Sequence, residues 1–129
     1  MRGYLALTAK EVQEFIDTRS FDVSDIYAPT SSFISQNPDL DEEEIEYTLS
    51  MVAAEDAMDL KSADSGKAIV LAFELPANMI AEMHEMSVSL STALTWDLIQ
   101  CAFEVSDDGE ELTWFATQEI SQHIQRWLD

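Results

Sequence analysis

One short stretch near the middle of the chain constrains the fold more than any other. Residues 68–73 are six consecutive apolar residues, bounded by a turn signal at 64–66 and by Pro76. A run this short, rich in β-branched and aromatic residues, is typical of a strand that is buried on both faces. Large side chains alternate with small ones in it, so we expect a thick core layer on one face and closely packed backbone on the other. The sequence therefore predicts a central strand over residues 67–75.

The length and composition of the chain are those of one folded domain. With 129 residues and 47% hydrophobic content, the chain can bury a core without disulfides or metal ions. Cys101 is the only cysteine, so neither an internal disulfide nor a cysteine zinc site is expected. No apolar run approaches the roughly 18 residues that span a bilayer, and the apolar N-terminal stretch is too short for a signal peptide. We predict a single domain over residues 1–129, located in the cytoplasm.

The charge balance of the chain is strongly acidic. Asp and Glu number 26 against six Lys and Arg, which gives a formal net charge of −20. No Lys or Arg occurs in residues 20–60 or 68–125. Direct binding to nucleic-acid phosphates or to an anionic membrane needs clustered cations, so both are disfavoured. The charge is compatible with a basic protein partner, with a bound metal, with mimicry of a polyanion, or simply with solubility.

Capping signals locate three helices. A Ser, Thr or Asp followed three residues later by Glu, just before a helical apolar pattern, forms a capping box and marks a helix start. Three such pairs are present: Thr8 with Glu11, Asp41 with Glu44, and Asp108 with Glu111. They predict helices over 9–18, from 41 to about 63, and from 108 to about 128. The long helix carries one apolar stripe through Leu49 and a second through Tyr47, so we expect it to be covered on more than one side.

Alternation of apolar and polar residues locates the strands. Strands are predicted at 2–7, 22–28, 67–75, 86–90 and 99–105, while 30–37 and 78–85 are expected to be loops or short helical turns. The predicted order is β-α-β-α-β-β-β-α. This order indicates an α+β fold, a two-layer sandwich in which three helices pack on one side of a mostly antiparallel sheet of about five strands.

Two clusters of carboxylates stand out, at residues 39–46 and 104–111. The first lacks the glycine that a calcium loop needs for its sharp turn. Both clusters fall at predicted helix starts, where the helix dipole favours negative charge by roughly 0.3–1 kcal/mol per residue. Capping therefore explains them without a function. If the clusters adjoin in space, they could instead form an anionic strip that mimics phosphate spacing.

Candidate catalytic residues are weakly indicated. Asp56 interrupts the apolar stripe of the long helix, and buried carboxylates are rare unless they are paired. An enzyme or small-ligand site built from carboxylates of separate elements would begin with Asp56, Asp97 and Glu119. His84 and His123 form no metal-binding pair, and no nucleophile motif surrounds Cys101. We predict no metal and no cofactor.

The segment that contains Trp114 is the most unusual part of the chain. If the neighbouring apolar residues face the core of a last helix, Trp114 and Gln118 point away from it. A partly exposed tryptophan beside an amide and the carboxylate of Glu119 is a plausible recognition surface. The alternative is that Trp114 packs against a neighbouring loop. We predict binding residues at Trp114, Gln118, Glu119 and Asp56.

Two stretches resemble a known group of proteins. MRGYLALT at 1–8 and TWFATQEI at 113–120 resemble segments of an actinobacterial family of small, acidic, uncharacterised cytoplasmic proteins. The acidic turn into the long helix, DEEEIEYTLSMVAA at 41–54, is similar as well. The similarity covers roughly a quarter of the chain. It implies a function that is not known, so it assigns no catalytic residue.

The sequence leads to three functional hypotheses. The first is a non-catalytic protein-binding module whose partner is a basic protein, because such a surface complements a charge of −20. The second is an enzyme or a binder of a small ligand or metal, which requires a pocket with converging carboxylates. The third is a polyanion mimic that blocks a DNA-binding protein. The oligomeric state is not indicated.

Overall fold

The predicted central strand lies inside a seven-stranded antiparallel sheet. The computed structural model describes residues 1–129. The strands are β1 (Arg2–Thr8), β2 (Ser20–Phe21), β3 (Asp25–Tyr27), β4 (Ala68–Glu74), β5 (Ile80–Met83), β6 (Ser87–Leu90), β7 (Leu94–Thr95), β8 (Ile99–Val105) and β9 (Leu112–Ala116). The helices are α1 (Ala9–Thr18), α2 (Ser31–Gln36), α3 (Glu42–Leu60) and α4 (Thr117–Leu128). The large sheet has the order β5-β6-β3-β1-β4-β8-β9, and β2 pairs with β7 in a separate ribbon.

The two faces of β4 are buried by different partners, as its alternation of large and small residues predicts. Ile69, Leu71 and Phe73 belong to a core cluster that also contains residues of α1 and α4. Ala68, Val70 and Ala72 face the other side, in a second cluster with α3. There α3 presents its own alanines to the small face of the strand (Ala53, Ala54 and Ala57, all fully buried). Short side chains on both elements let the helix approach the sheet closely, since neither backbone is held off by bulk.

Helices therefore cover both faces of the sheet, and this corrects the predicted two-layer sandwich. A strand whose two faces are apolar needs a covering layer on each side. The strand and helix counts are corrected too: the large sheet has seven strands rather than about five, and there are four helices rather than three. The additional helix is α2, which Thr30 caps by accepting from the backbone N–H of Phe33.

Two of the three predicted capping boxes are present. Thr8 and Glu11 exchange side-chain and backbone hydrogen bonds at the start of α1. Asp41 and Glu44 do the same at the start of α3, where the acidic residues of the first turn satisfy free backbone N–H groups and the helix dipole. This helix ends at Leu60, three residues before its predicted end.

The third predicted capping box is a β-hairpin turn instead. The Asp108 carboxylate accepts from the Ser106 hydroxyl and from the backbone N–H of Glu110, and Gly109 has φ +78°, so the chain reverses. Residues 112–116 then pair with β8 in continuous register, and α4 begins only at Thr117. An acidic residue three positions before Glu suits a tight turn as well as a helix start, which is why the spacing was misleading.

Two other segments differ from the prediction. Residues 22–28 contain only the short strand β3, after a separate strand β2 at Ser20–Phe21. Residues 78–85 contain the edge strand β5, whose pairing with β6 shifts register between Ile80 and Glu82. The irregular pairing obscures the period-2 pattern by which strands are recognised.

Candidate functional site

One surface carries exposed aromatic side chains on regular elements. Trp114 on β9 is 58% exposed, and Tyr47 on α3 is 63% exposed. Phe103 is half-buried and is opposite Trp114 in the β8–β9 ladder. Phe103, Leu112 and Tyr47 line one open pocket of about 360 Å³ between the helix and the sheet. We call Tyr47, Phe103, Leu112 and Trp114 the aromatic flank.

Carboxylates border the aromatic flank at both ends. Glu43 and Glu46 of α3 line the same pocket as Tyr47. At the hairpin end of β9, Glu110 and Glu111 are exposed. The rim of the flank is thus strongly negative, while its centre is apolar.

The one cation beside the flank, Arg2, is directed toward the sheet. Its Nη2 donates to Sγ of Cys101 at 3.4 Å, and its guanidinium lies 5.7 Å from the centroid of the Tyr4 ring. Burial raises the pKa of the Cys101 thiol, although Arg2 and Trp114 act in the opposite direction. Burial likewise raises the pKa of Tyr4 to about 12, with Arg2 opposing it. Arg2 therefore interacts with the buried Cys101 and Tyr4, and it neutralises the negative charge of the rim only in part.

Of the predicted recognition residues, Trp114 is exposed rather than packed against a loop, and it lies on a strand rather than a helix. Gln118 is exposed in the first turn of α4. The Glu119 carboxylate accepts from the backbone N–H of Ala116 at 2.8 Å and so caps α4. Trp114 lies on the same side of the sheet as Phe103 and α3, whereas α4 packs on the opposite side. The three residues do not form one surface.

The sequence missed two members of the flank. The second apolar stripe of the long helix predicts that Tyr47 is covered, yet Tyr47 is 63% exposed. Phe103 belongs to an alternating strand and looks like an ordinary core residue. The only signal for Tyr47 is its position among Glu43, Glu44 and Glu46, which indicates a helix surface facing water.

Asp56 lies in a cleft on the other flank of α3, which we call the Asp56 cleft. The helix covers β1, β4 and β8, and the sheet extends past it through β3, β6 and β5. The cleft between them has a volume of about 460 Å³. Its polar lining comes from Asp25 and Tyr27 of β3, Asp56 and Asp59 of α3, and Ser87.

Asp56 is half-buried and paired. The hydroxyl of Tyr27 donates to Oδ2 of Asp56. Burial of the phenol, followed by this hydrogen bond and the negative charge of Asp56, raises the pKa of Tyr27 to about 12. Asp56 therefore links α3 to strand β3, and its carboxylate lines the cleft.

Three polar side chains beside β3 and β6 are connected by hydrogen bonds. Nε2 of His84 is 2.6 Å from the hydroxyl of Ser89, which donates to Oδ1 of Asp25 at 2.8 Å. A nucleophilic serine needs the imidazole between the hydroxyl and the carboxylate, because the imidazole must take the proton. Here the serine lies in the middle, so the chain is not arranged for nucleophilic attack.

The three carboxylates considered for catalysis are not brought together. Asp97 is exposed in a 3-10 turn beside Trp96. Trp96 packs edge-on against Phe15 of α1, with ring centroids 5.3 Å apart, on the face of the sheet opposite α3. Glu119 is occupied as a helix cap. The cleft at Asp56 instead takes its further carboxylates from Asp25 and Asp59.

The two acidic clusters lie at opposite ends of α3. The first occupies the start of the helix, and the hairpin of the second lines a pocket with Glu55 and Asp59 near its end. A helix of 19 residues is about 28 Å long, so the clusters do not adjoin. Several acids of the second cluster have structural partners: Asp107 accepts from Lys67 at 2.9 Å, which holds the pKa of that carboxyl below its usual range.

Glu104, a member of the second cluster, faces α4. Its Oε1 accepts from Nη2 of Arg126 at 2.6 Å and from Nε1 of Trp127 at 2.7 Å. Burial acts to raise the pKa of Glu104, but the two hydrogen bonds outweigh it and hold the pKa below its usual value. The other histidine, His123, stacks beside Phe115 and Trp127 and is part of the same packing.

These features define an antiparallel sheet covered by helices on both faces, with an acid-rimmed aromatic surface along one edge. The chain belongs to DUF6912, a family of unknown function, whose model matches residues 1–109. The matched residues end before Trp114, so the match does not bear on the segment at 113–120. Comparison with curated proteins and with solved structures finds no match.

Two further findings bear on the class of protein. No group of three or more His, Cys, Asp or Glu side chains is placed to hold a metal ion. None of the four helices combines the length and the apolar character that crossing a bilayer requires.

Proposed function

We propose that this chain is a non-catalytic protein-binding module that docks a basic protein on the aromatic flank. The observation that carries the proposal is an exposed tryptophan and an exposed tyrosine on regular elements, bordered by carboxylates of α3 and of the β8–β9 hairpin. Tyr and Trp are the side chains that most often dominate binding energies, and a rigid strand or helix loses little entropy in presenting them.

The charge of the chain fits this kind of partner. Carboxylates on the rim steer a cationic surface toward the flank and raise the association rate, an effect that weakens with salt. The apolar centre then supplies the short-range contacts. Truncation of one hot-spot aromatic residue typically costs at least about 2 kcal/mol of binding free energy, a factor of roughly 30 in Kd.

The test is a selection from a displayed random dodecapeptide library on the immobilised protein. We expect enriched peptides to be rich in Lys and Arg and to lose affinity when sodium chloride rises from about 50 to about 500 mM. Trp114→Ala should weaken the best peptide about 30-fold. Met83→Ala is the matched control, because Met83 is 54% exposed on the opposite edge strand, and it should leave affinity unchanged.

Two outcomes would overturn the proposal. One is a selection that enriches nothing, or that enriches peptides without an excess of basic residues. The other is equal loss of affinity in Trp114→Ala and Met83→Ala, which would mean that the peptides bind acidic surface in general.

A second candidate function is the binding of a small cationic ligand, or chemistry on one, in the Asp56 cleft. It is favoured by one observation: Asp25, Asp56 and Asp59 reach one cleft from two elements. Calorimetric titration with spermidine tests it. Asp56→Asn with Asp59→Asn should abolish binding, while Glu14→Gln with Asp17→Asn, an equal charge change on α1, should not. Equal effects of the two pairs would dismiss the site.

A weaker candidate is mimicry of a polyanion. The separation of the acidic clusters by the length of α3 argues against one continuous anionic strip, although each cluster could act alone. Competition with duplex DNA for a basic protein, such as a histone, tests it, and lack of competition ends the idea.

The actinobacterial origin and the cytoplasmic location inferred from the sequence remain proposals as well, and fractionation of the source cells tests the cytoplasmic location.

A further inference from the structure

The two edges of the large sheet differ in how well they are protected against pairing with a further strand. The β5 edge pairs irregularly with β6 and carries Glu82, and both features discourage a further strand. The β9 edge pairs with β8 in continuous register, and Leu112–Ala116 contains no charged residue and no proline. In a chain with 26 acidic residues, an uncharged and regular edge strand is unusual.

The backbone of β9 has hydrogen-bonding groups directed away from the sheet. At the hairpin, the N–H of Ser106 donates to the carbonyl of Glu111 and the N–H of Glu111 donates to the Ser106 hydroxyl, so these residues occupy a hydrogen-bonded position of the ladder. Such pairs alternate along an antiparallel ladder, and the backbone groups of Leu112, Trp114 and Ala116 therefore point outward. Glu119 accepts from the N–H of Ala116. Leu112 and Trp114 keep outward N–H and C=O groups for a further strand.

The side chains along this edge are also accessible. Thr113 and Trp114 are both exposed, on opposite faces of the strand. A strand added beside β9 would cover Trp114 with its residues on one face and would place one of its ends near Glu110 and Glu111 at the hairpin.

We infer that β9 binds an extended segment of the basic partner as an eighth strand of the sheet. The inference rests on the proposed function and adds the binding mode and the kind of ligand: a β-forming segment with Lys or Arg at the end that lies beside the hairpin. Backbone hydrogen bonds at Leu112 and Trp114 supply affinity, and contacts with the aromatic flank supply selectivity. A second copy of this chain is the less suitable occupant, because it would bring −20 charges against −20.

The test uses the tightest-binding dodecapeptide from the library selection and the intact chain. Amide hydrogen exchange measured by NMR should slow about tenfold or more at Leu112 and Trp114 when the peptide is saturating, while Thr113 and Phe115, already bonded to β8, should change little. Leu112→Pro, which removes one outward N–H, should weaken binding about tenfold relative to Leu112→Val.

The outcomes separate the binding mode from the proposed function. If the peptide requires Trp114 but leaves exchange at Leu112 and Trp114 unchanged, strand addition is wrong while the protein-binding function stands. If no peptide is enriched, the function itself is wrong. If sedimentation equilibrium shows a dimer without peptide, with the same two amides protected, the occupant is a second copy and the inferred partner is wrong.

Discussion

Removal of the Glu104 carboxylate is the substitution whose cost can be worked most directly from the structure. The carboxylate accepts from Arg126 and Trp127, and these two bonds differ in value. Arg126 is 51% exposed, so its ion pair contributes less than about 1 kcal/mol. Trp127 is fully buried, and an indole N–H left there without an acceptor costs about 1–3 kcal/mol.

Two variants separate these contributions. Glu104→Gln keeps an acceptor for Trp127 and should destabilise by about 1 kcal/mol, whereas Glu104→Ala should destabilise by about 2–4 kcal/mol. For a chain of this length, each 1 kcal/mol corresponds to roughly 3–5 °C in Tm. Urea unfolding followed by tryptophan fluorescence measures both. In a Trp127→Phe background the loss from Glu104→Ala should shrink by about 1–3 kcal/mol, because no indole N–H is left without an acceptor.

The pH dependence follows from the same contact. The folded-state pKa of Glu104 is lowered, so its stabilisation is present above the unfolded value near 4.5 and is lost as pH falls through the folded value. The difference in unfolding free energy between wild type and Glu104→Gln should therefore begin to shrink as pH falls below about 4.5, and it should vanish once pH is below the folded-state pKa of Glu104. Equal costs for Glu104→Gln and Glu104→Ala, or a difference that persists in acid, would refute this reasoning.

Two further predictions concern backbone strain and the half-buried phenol of Tyr27. Gly66→Ala should destabilise by about 2–4 kcal/mol, because Gly66 has φ +80° and a Cβ there would lie 2.3 Å from the carbonyl oxygen of Trp127. Gly109→Ala, at φ +78° but with its nearest contact at 3.4 Å, should cost only about 1 kcal/mol in the same urea titration; similar costs would show that steric contact is not decisive. Tyr27 has its pKa raised to about 12, so its stabilisation is complete below pH 10 and is lost as pH rises toward 12. In an ultraviolet titration, the Tyr27→Phe variant should lack one tyrosine that ionises late, at high pH. A titration profile identical to that of the wild type would contradict the contact with Asp56.

Local patterns in the sequence predicted the parts of the fold that local interactions determine. The apolar run of β4 and the capping boxes of α1 and α3 depend on residues a few positions apart, and the structure confirms them. The start of α4 could not be predicted in this way. Asp108 makes its hydrogen bonds to Ser106 and Glu110 in a turn, and the same residue types would equally cap a helix.

The layers of the fold and the candidate site depend on contacts between distant residues. The two apolar faces of β4 require cover on both sides, so the central strand already argues against a two-layer sandwich. Trp114 can be singled out from the sequence because a tryptophan lies close to an amide and a carboxylate there. Phe103 comes to lie opposite Trp114 only through the pairing of β9 with β8, and the packing of α3 on the sheet places Tyr47 in one pocket with Phe103.

The most direct measurement is an amide and indole NMR spectrum of the ¹⁵N-labelled chain titrated with the selected basic dodecapeptide. If the peptide docks on the aromatic flank as proposed, the largest shifts should fall on the indole N–H of Trp114 and on the backbone amides of β9 and of Tyr47. Shifts centred on Tyr27 and Asp56 would instead place the ligand in the Asp56 cleft and contradict a protein-docking role for Trp114.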